Sequence, residues 1–135
     1  MVRLNKDQLD DGQLEVLFTQ FAQLLNSSNT HTTNQIVYEI LGHEERIMLA
    51  KRIAIIVLLI EGYSLYEIAL KLKVSPATAQ KIRHNLEQGD YQSVRRRLGK
   101  SKKDYFAFLD VLDNILHLGG ILPHYNGMDR YKHIR

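Results

Sequence analysis

The sequence contains no cysteine, and no apolar run in it is long enough to cross a membrane. Without cysteine the chain has no disulfide, no thiolate metal site and no cysteine nucleophile, which fits a reducing compartment. The longest apolar run, IAIIVLLI at residues 53–60, falls well short of the roughly 20 residues that a spanning helix needs. The first residues, MVRLNKDQLDDGQ, also lack the apolar stretch of a signal peptide. We therefore expect a cytoplasmic protein with no membrane partner.

Residue patterns typical of catalysis or metal binding are also missing. His43 is followed by two glutamates, but not by the second histidine that a zinc-protease helix carries four residues later. Asp110 and Asp113 lie beside a basic stretch, a pattern more typical of a solvated helix surface than of a catalytic pair. The six histidines show no metal-ligand spacing, and there is no glycine-rich phosphate loop. We predict that the chain is not an enzyme and holds neither a metal nor a cofactor.

Charge is unevenly distributed, although the formal net charge is only +3. Residues 1–40 carry two basic and five acidic side chains, whereas residues 76–103 carry eight basic and two acidic ones. A charge run by itself is more often a solvated surface than a binding site. This asymmetry favours a polyanionic partner only if a binding motif lies in the basic segment.

Apolar spacing predicts helices and no strand. Residues 11–26 form an amphipathic helix that ends at the polar run NSSNTHTTN, and a shorter helix follows near residues 34–41. The inward face of the helix at residues 11–26 is predicted to comprise Leu14, Leu17, Phe18, Phe21, Leu24 and Leu25. A third helix spans residues 44–61, and its second half is apolar on every side, so it must be buried on every side. Because short neighbouring helices offer little cover, we expect a second copy of the chain to help bury it.

A helix-turn-helix is predicted at residues 64–87. Ser64 and Glu67 form a capping box that starts its first helix. After a short turn, Ser75 caps the second helix and Pro76 fits its first position, where a missing amide donor costs nothing. The inward stripe of this second helix is predicted to be Ala79, Ile82 and Leu86.

The second helix of the motif turns a polar surface outward. In the major groove, glutamine pairs with adenine edges and lysine with guanine acceptors. The side chains predicted to face bases are Ser75, Pro76, Ala77, Gln80, Lys81 and His84. Those predicted to contact phosphates are Ser64, Lys73, Thr78, Arg83, Arg95, Arg96 and Arg97. Lys73 also occupies the turn position where glycine often adopts a left-handed conformation, so we expect a strained or differently shaped turn.

Several motifs follow one another between residues 41 and 86: an L-x-x-x-E-R-x-x-L-x-x-R helix, an apolar run into Glu61 and Gly62, an S-x-x-E-I helix start and a V-S-x-A-T opening. In this order they resemble the Trp repressor family, especially its YerC/YecD-like relatives. The resemblance covers about one third of the chain. It implies an all-α, intertwined homodimer that binds operator DNA as a transcriptional regulator, with the apolar helix buried between the subunits.

The resemblance also bears on a ligand. In the tryptophan-responsive members of that family, two arginines and a glycine shape the corepressor pocket. The first arginine matches Arg52, our candidate ligand-binding residue, but the second falls on Lys81 and the glycine on Ile82. Lysine lacks the planar fork of arginine, and isoleucine would fill the space of the indole. We therefore expect no tryptophan binding, and for Arg52 we prefer an ion pair with Glu44, Glu45 or a partner chain.

The chain is predicted to have two parts. Residues 1–94 form the helical domain that resembles the family, and residues 95–135 add a basic connector, one amphipathic helix and a tail. The tail is interpreted as frayed, with an arm along DNA or around the other subunit as the alternative. The inward residues of the extra helix are predicted to be Phe106, Leu109, Leu112, Ile115 and Leu116.

The leading interpretation is a homodimeric, sequence-specific regulator bound to double-stranded DNA. A helical protein-interaction module without DNA binding is the alternative. A nucleic-acid-processing enzyme is a distant third. RNA binding is disfavoured because no aromatic stacking platform lies near the basic residues.

Overall fold

The computed structural model describes residues 9–26 and 29–117, and this part of the chain is helical with no strand. Its helices are α1 (Asp11–Asn26), α2 (Thr30–Ile40), α3 (His43–Ile60), α4 (Leu65–Leu72), α5 (Pro76–Glu87), α6 (Gln92–Gly99) and α7 (Lys102–Leu116). The predicted all-α fold class is confirmed. None of these helices is both long and apolar enough to span a bilayer.

The chain divides into two compact units, residues 1–46 and 47–135. Helix α3 begins in the first unit and continues through the second. The predicted boundary after residue 94 separates the part that resembles the family from the rest of the chain and does not separate two compact units. It stays a prediction. The tail that was predicted after α7 lies outside the described residues.

In the first unit, α1 and α2 begin at residues whose side chains cap them. Asp10 accepts a hydrogen bond from the amide of Gln13 at 2.8 Å, and the Gln13 side chain accepts one from the amide of Asp10 at 3.0 Å. Asn29 accepts a hydrogen bond from the amide of Thr32 at 2.8 Å, which starts α2 at Thr30. The predicted α1 is confirmed, but the prediction that α2 begins near residue 34 is wrong, because this asparagine cap lies inside the polar run.

The apolar face predicted for α1 is only partly covered. Leu14, Phe21 and Leu25 are half-buried, whereas Leu17, Phe18 and Leu24 are exposed. Neither α1 nor α2 contains a fully buried residue. The expectation that the whole stripe packs inward is therefore wrong for Leu17, Phe18 and Leu24, which leave an apolar surface on this unit.

In the second unit, the chain itself buries the apolar half of α3. Every residue from Ala54 to Ile60 is at most 5% exposed. The side chains that form the same core are Ile68, Leu72, Ala79, Ile82, Leu86, Tyr105, Leu109 and Leu112, from α4, α5 and α7. The expectation that a second copy must cover this helix is wrong, because α7 completes the cover that α4 and α5 begin.

The basic segment after α5 is a helix rather than a connector. Gly89 and Tyr91 adopt positive φ angles of 91° and 64°, which end α5 and redirect the chain. Helix α6 follows directly and packs against α7. This corrects the predicted connector and gives the arginine run a helical geometry.

Helix α7 exists as predicted, with a different inward face. Its buried residues are Tyr105, Leu109 and Leu112, and Leu116 packs beside them at the same helical spacing. Phe106 and Ile115 are 43% and 66% exposed, so the prediction that they point inward is wrong. The sequence offers two overlapping apolar stripes about 100° apart, and the tertiary structure buries the one that contains Tyr105.

Candidate nucleic-acid interface

The two helices of the helix-turn-helix start as the sequence predicts. The Ser64 hydroxyl accepts a hydrogen bond from the amide of Glu67 at 3.1 Å, and the Glu67 carboxylate accepts one from the amide of Ser64 at 3.2 Å. Ser75 accepts from the amide of Thr78 at 3.2 Å, and Pro76 is the first residue of α5. Each cap typically contributes about 1 kcal/mol, so the motif is locally well defined.

The turn between α4 and α5 consists of Lys73, Val74 and Ser75. Lys73 adopts the left-handed conformation, with φ 54° and ψ 50°, which confirms the expected strain. This conformation costs a non-glycine residue about 1 kcal/mol or more. Lys51, from α3, donates from its Nζ to the carbonyl oxygen of Lys73 at 3.4 Å. The strained turn is therefore contacted from outside the motif.

Helix α5 has two opposite faces. Ala79, Ile82 and Leu86 are buried in the core at helical spacing. The exposed side chains on the other side are Ala77, Gln80, Lys81 and His84. These four recur at i, i+3, i+4 and i+7, which places them in one stripe about 180° from the buried one. We call Ala77, Gln80, Lys81 and His84 the recognition stripe.

Ser75 and Pro76 are exposed at the start of α5, next to the recognition stripe. All six residues predicted to face bases are thus exposed. A short polar stripe at the beginning of a helix has the shape and donors that read base edges in a major groove.

Two predicted phosphate residues flank the recognition stripe. Thr78 is half-buried, and its hydroxyl lies 2.8 Å from that of Ser75. Arg83 lies on the opposite flank and forms an ion pair with Glu87 at 3.4 Å, with both side chains nearly half exposed. An exposed pair of this kind contributes at most about 1 kcal/mol, so it is a small obstacle to any other contact of Arg83 with an anion.

Ser64 lies at the start of α4, and its side chain is exposed. Its oxygen accepts the capping hydrogen bond, which leaves the hydroxyl proton as a donor. The predicted contact of Ser64 with a phosphate is compatible with its role as a helix cap.

The arginine run does not form one surface. Consecutive residues of a helix differ by about 100°, so Arg95, Arg96 and Arg97 spread over about 200°. Arg96 and Arg97 are exposed, whereas Arg95 is half-buried. Lys100, whose charge the sequence also offers for phosphates, is exposed and lies three and four residues after the two exposed arginines. The helical spacing of these three side chains is the signal that would have grouped them.

Arg52 is exposed on α3, and the ion pair predicted with Glu44 or Glu45 is absent from the described part of the chain. Eight residues of helix separate Arg52 from Glu44, about 12 Å along the axis, and this distance explains the correction. Glu45 instead accepts a hydrogen bond from the amide of Gly42 at 2.7 Å. An ion pair of Arg52 with a partner chain stays a prediction.

The residues that the resemblance aligns with a tryptophan pocket differ in burial. Lys81 belongs to the recognition stripe, and Ile82 is 5% exposed in the core. Among residues 9–26 and 29–117, no group of three or more histidine or carboxylate side chains could hold a metal ion.

The geometry of α4, the turn and α5 defines a helix-turn-helix. In agreement, residues 49–95 match the family model of a homeodomain-like domain. This match runs from α3 into the first turn of α6 and covers the whole helix-turn-helix, to which the second unit is therefore similar in sequence as well as in geometry. Domains of this class typically bind DNA and are not catalytic. The match does not distinguish the Trp repressor family within the class.

Comparisons with the curated proteins and with the solved structures gave no significant match.

Proposed function

We propose that this protein is a sequence-specific, DNA-binding transcriptional regulator of repressor type, cytoplasmic, that acts as a homodimer. The observation that carries the proposal is the geometry of α5, whose recognition stripe lies opposite its buried stripe. The buried stripe fixes the helix on the core, and the exposed stripe presents an amide, an ammonium and an imidazole side by side. Held rigidly, these donors can discriminate between base pairs.

Phosphate contacts orient such a helix in the groove without reading sequence. Thr78 and Arg83 flank the recognition stripe, and Ser64 begins the neighbouring α4. The exposed side chains of Arg96 and Arg97 add positive charge just beyond α5. Each neutralised phosphate makes binding more salt-dependent, so we expect affinity to fall steeply as salt rises.

The dimer interface that we propose lies on the first unit and not on α3, because the chain itself buries the apolar half of α3. The exposed apolar side chains of the first unit that adjoin its half-buried ones around each helix are Leu17, Phe18 and Leu24 on α1 and Ile40 on α2. Two helices without any buried residue do not make a core, since the stability of amphipathic helices comes mainly from packing. We call these four side chains the apolar face of the first unit.

A second copy of the chain is the occupant we propose for this face. Residues 1–40 carry more acidic than basic side chains, so this part of the chain repels nucleic acid. An identical apolar face on a second copy is complementary by two-fold symmetry and would convert two helix pairs into one four-helix core. The dimer would present two recognition helices, which match half-sites about 34 Å apart.

The first experiment is selection of bound duplexes from a random library by the full-length protein, at low and at physiological salt, with its mass in solution measured in parallel. We expect a palindromic site and twice the mass of the chain. Salt-sensitive binding without an enriched sequence would contradict base recognition by α5. Binding of single half-sites by a monomer would contradict the dimer alone.

One observation favours a protein-interaction module as the second candidate. Tyr66 and Leu70, one helical turn apart on α4, are 74% and 62% exposed. An apolar pair on a helix surface is a common anchor for a partner protein. No DNA binding at either salt concentration, in a protein shown to be folded, would favour this candidate.

A further inference from the structure

Lys51 connects α3 to the turn of the helix-turn-helix. Its Nζ lies 3.4 Å from the carbonyl oxygen of Lys73, 22 residues later in the chain. Lys73 directly precedes Val74 and the cap residue Ser75, so this ammonium group lies beside the entry to α5. This contact therefore comes from α3, outside the two helices of the motif.

Stability alone does not account for two lysines at this turn. The half-buried Lys51 loses side-chain freedom when its Nζ is held, and one hydrogen bond of 3.4 Å to a neutral carbonyl offsets little of that cost. Lys73 occupies a backbone conformation in which glycine is less strained. Its side chain is exposed and makes no hydrogen bond or ion pair within the described part of the chain. Both observations are explained if positive charge is needed at this place.

We infer that Lys51 is a DNA-contacting residue, which together with Lys73 binds a backbone phosphate at the edge of the groove that α5 enters. This inference rests on the proposed function. An ammonium group has three donors, and the bond to Lys73 uses one, so donors remain for phosphate oxygens. The contact positions the protein and carries no sequence information.

The test is the salt dependence of binding to the selected duplex, measured with the full-length protein. Lys51→Gln is expected to lower the slope of log affinity against log salt by about 0.9, the value for one phosphate contact. The corresponding loss at physiological salt is about fivefold. The preferred sequence should not change, and Lys51→Arg should keep the slope of the wild type.

Lys71 provides a matched control. Its Nζ also donates to a backbone carbonyl, that of His117 at 3.3 Å, but this bond leads to the end of α7 instead of to the turn. Lys71→Gln therefore removes the same charge and the same kind of hydrogen bond at another place. We expect its slope to equal that of the wild type, and urea unfolding should show that both variants are folded.

Three results would overturn the inference. The first is an unchanged slope for Lys51→Gln, which would leave Lys51 a structural role only. The second is an equal decrease of the slope for Lys71→Gln, which would indicate a diffuse charge effect. The third is a wild-type protein that does not bind DNA. If binding occurs without sequence preference, the proposed function fails on specificity, while the comparison of slopes on that DNA still decides the role of Lys51.

Discussion

Tyr105 donates a hydrogen bond from its hydroxyl to the Glu61 carboxylate in the protein interior. Both side chains are buried, Glu61 directly after α3 and Tyr105 in the first part of α7. This bond joins the helix-turn-helix core to the helix that completes it. It also explains how an acidic side chain is accommodated at the end of the apolar run, because a buried carboxylate requires donors.

Tyr105→Phe removes that donor and leaves the carboxylate buried without it. We expect the free energy of unfolding to fall by about 1–3 kcal/mol, the usual cost of depriving a buried group of its partner. Urea unfolding followed by circular dichroism measures this change. Tyr66→Phe, at an exposed tyrosine of α4, is the control, and an equally small effect of both substitutions would contradict the structural role of the bond.

The same pair predicts how stability depends on pH. Burial, and then the hydrogen bond to Glu61, raise the pKa of Tyr105 above its ordinary value of 10.0. Above pH 10 the unfolded chain releases this proton while the folded chain keeps it, so the contribution is complete below pH 10 and declines as pH rises. The expected decline is about 1.4 kcal/mol per pH unit.

Unfolding of the wild type and of Tyr105→Phe between pH 8 and 11 tests this sign. The difference in stability between the two proteins should be constant below about pH 10 and shrink above it. Burial also raises the pKa of Tyr63, but that tyrosine is present in both proteins and does not affect the difference. A difference in stability that grows with pH would refute the raised pKa of Tyr105.

Gln80→Ala and Lys81→Ala are expected to relax base preference without unfolding the domain, since both side chains are exposed. Each lost bidentate contact should cost about 1–3 kcal/mol of binding free energy on the selected duplex. Competition binding against scrambled duplexes measures the change in specificity. Gln35→Ala, exposed on α2, is the control, and unchanged specificity in the double variant would move the site away from the recognition stripe.

Phe18→Glu is expected to convert the dimer into a monomer, because it places a charge in the apolar face of the first unit. Phe18 is 67% exposed in the single chain, so the substitution does not disturb a core. Sedimentation equilibrium measures the mass, and Gln20→Glu on the same helix is the control for added charge. A dimer that survives Phe18→Glu would have its interface elsewhere.

We predict that tryptophan does not bind. Ile82 is buried at the position that the resemblance aligns with the pocket glycine, and Lys81 cannot form the planar fork of an arginine. Titration calorimetry with tryptophan should show no heat of stoichiometric binding at micromolar concentration. Such heat would restore Arg52 as a ligand-binding residue.

The amino-acid sequence by itself determined the local features of this protein. The ends of α4 and α5 depend on Ser64, Glu67, Ser75 and Pro76, whose effects act within one helical turn. The recognition stripe likewise follows from spacing along one helix. These features were predictable because the interacting groups are close in sequence.

Tertiary structure decided which apolar surfaces meet. The sequence does not show that α7 covers α3, because the stripes that contain Tyr105 and Phe106 are both apolar and only packing selects one. The contact of Lys51 with Lys73 spans 22 residues and has no sequence signal. Contacts between residues distant in sequence depend on how helices pack, which local spacing does not specify.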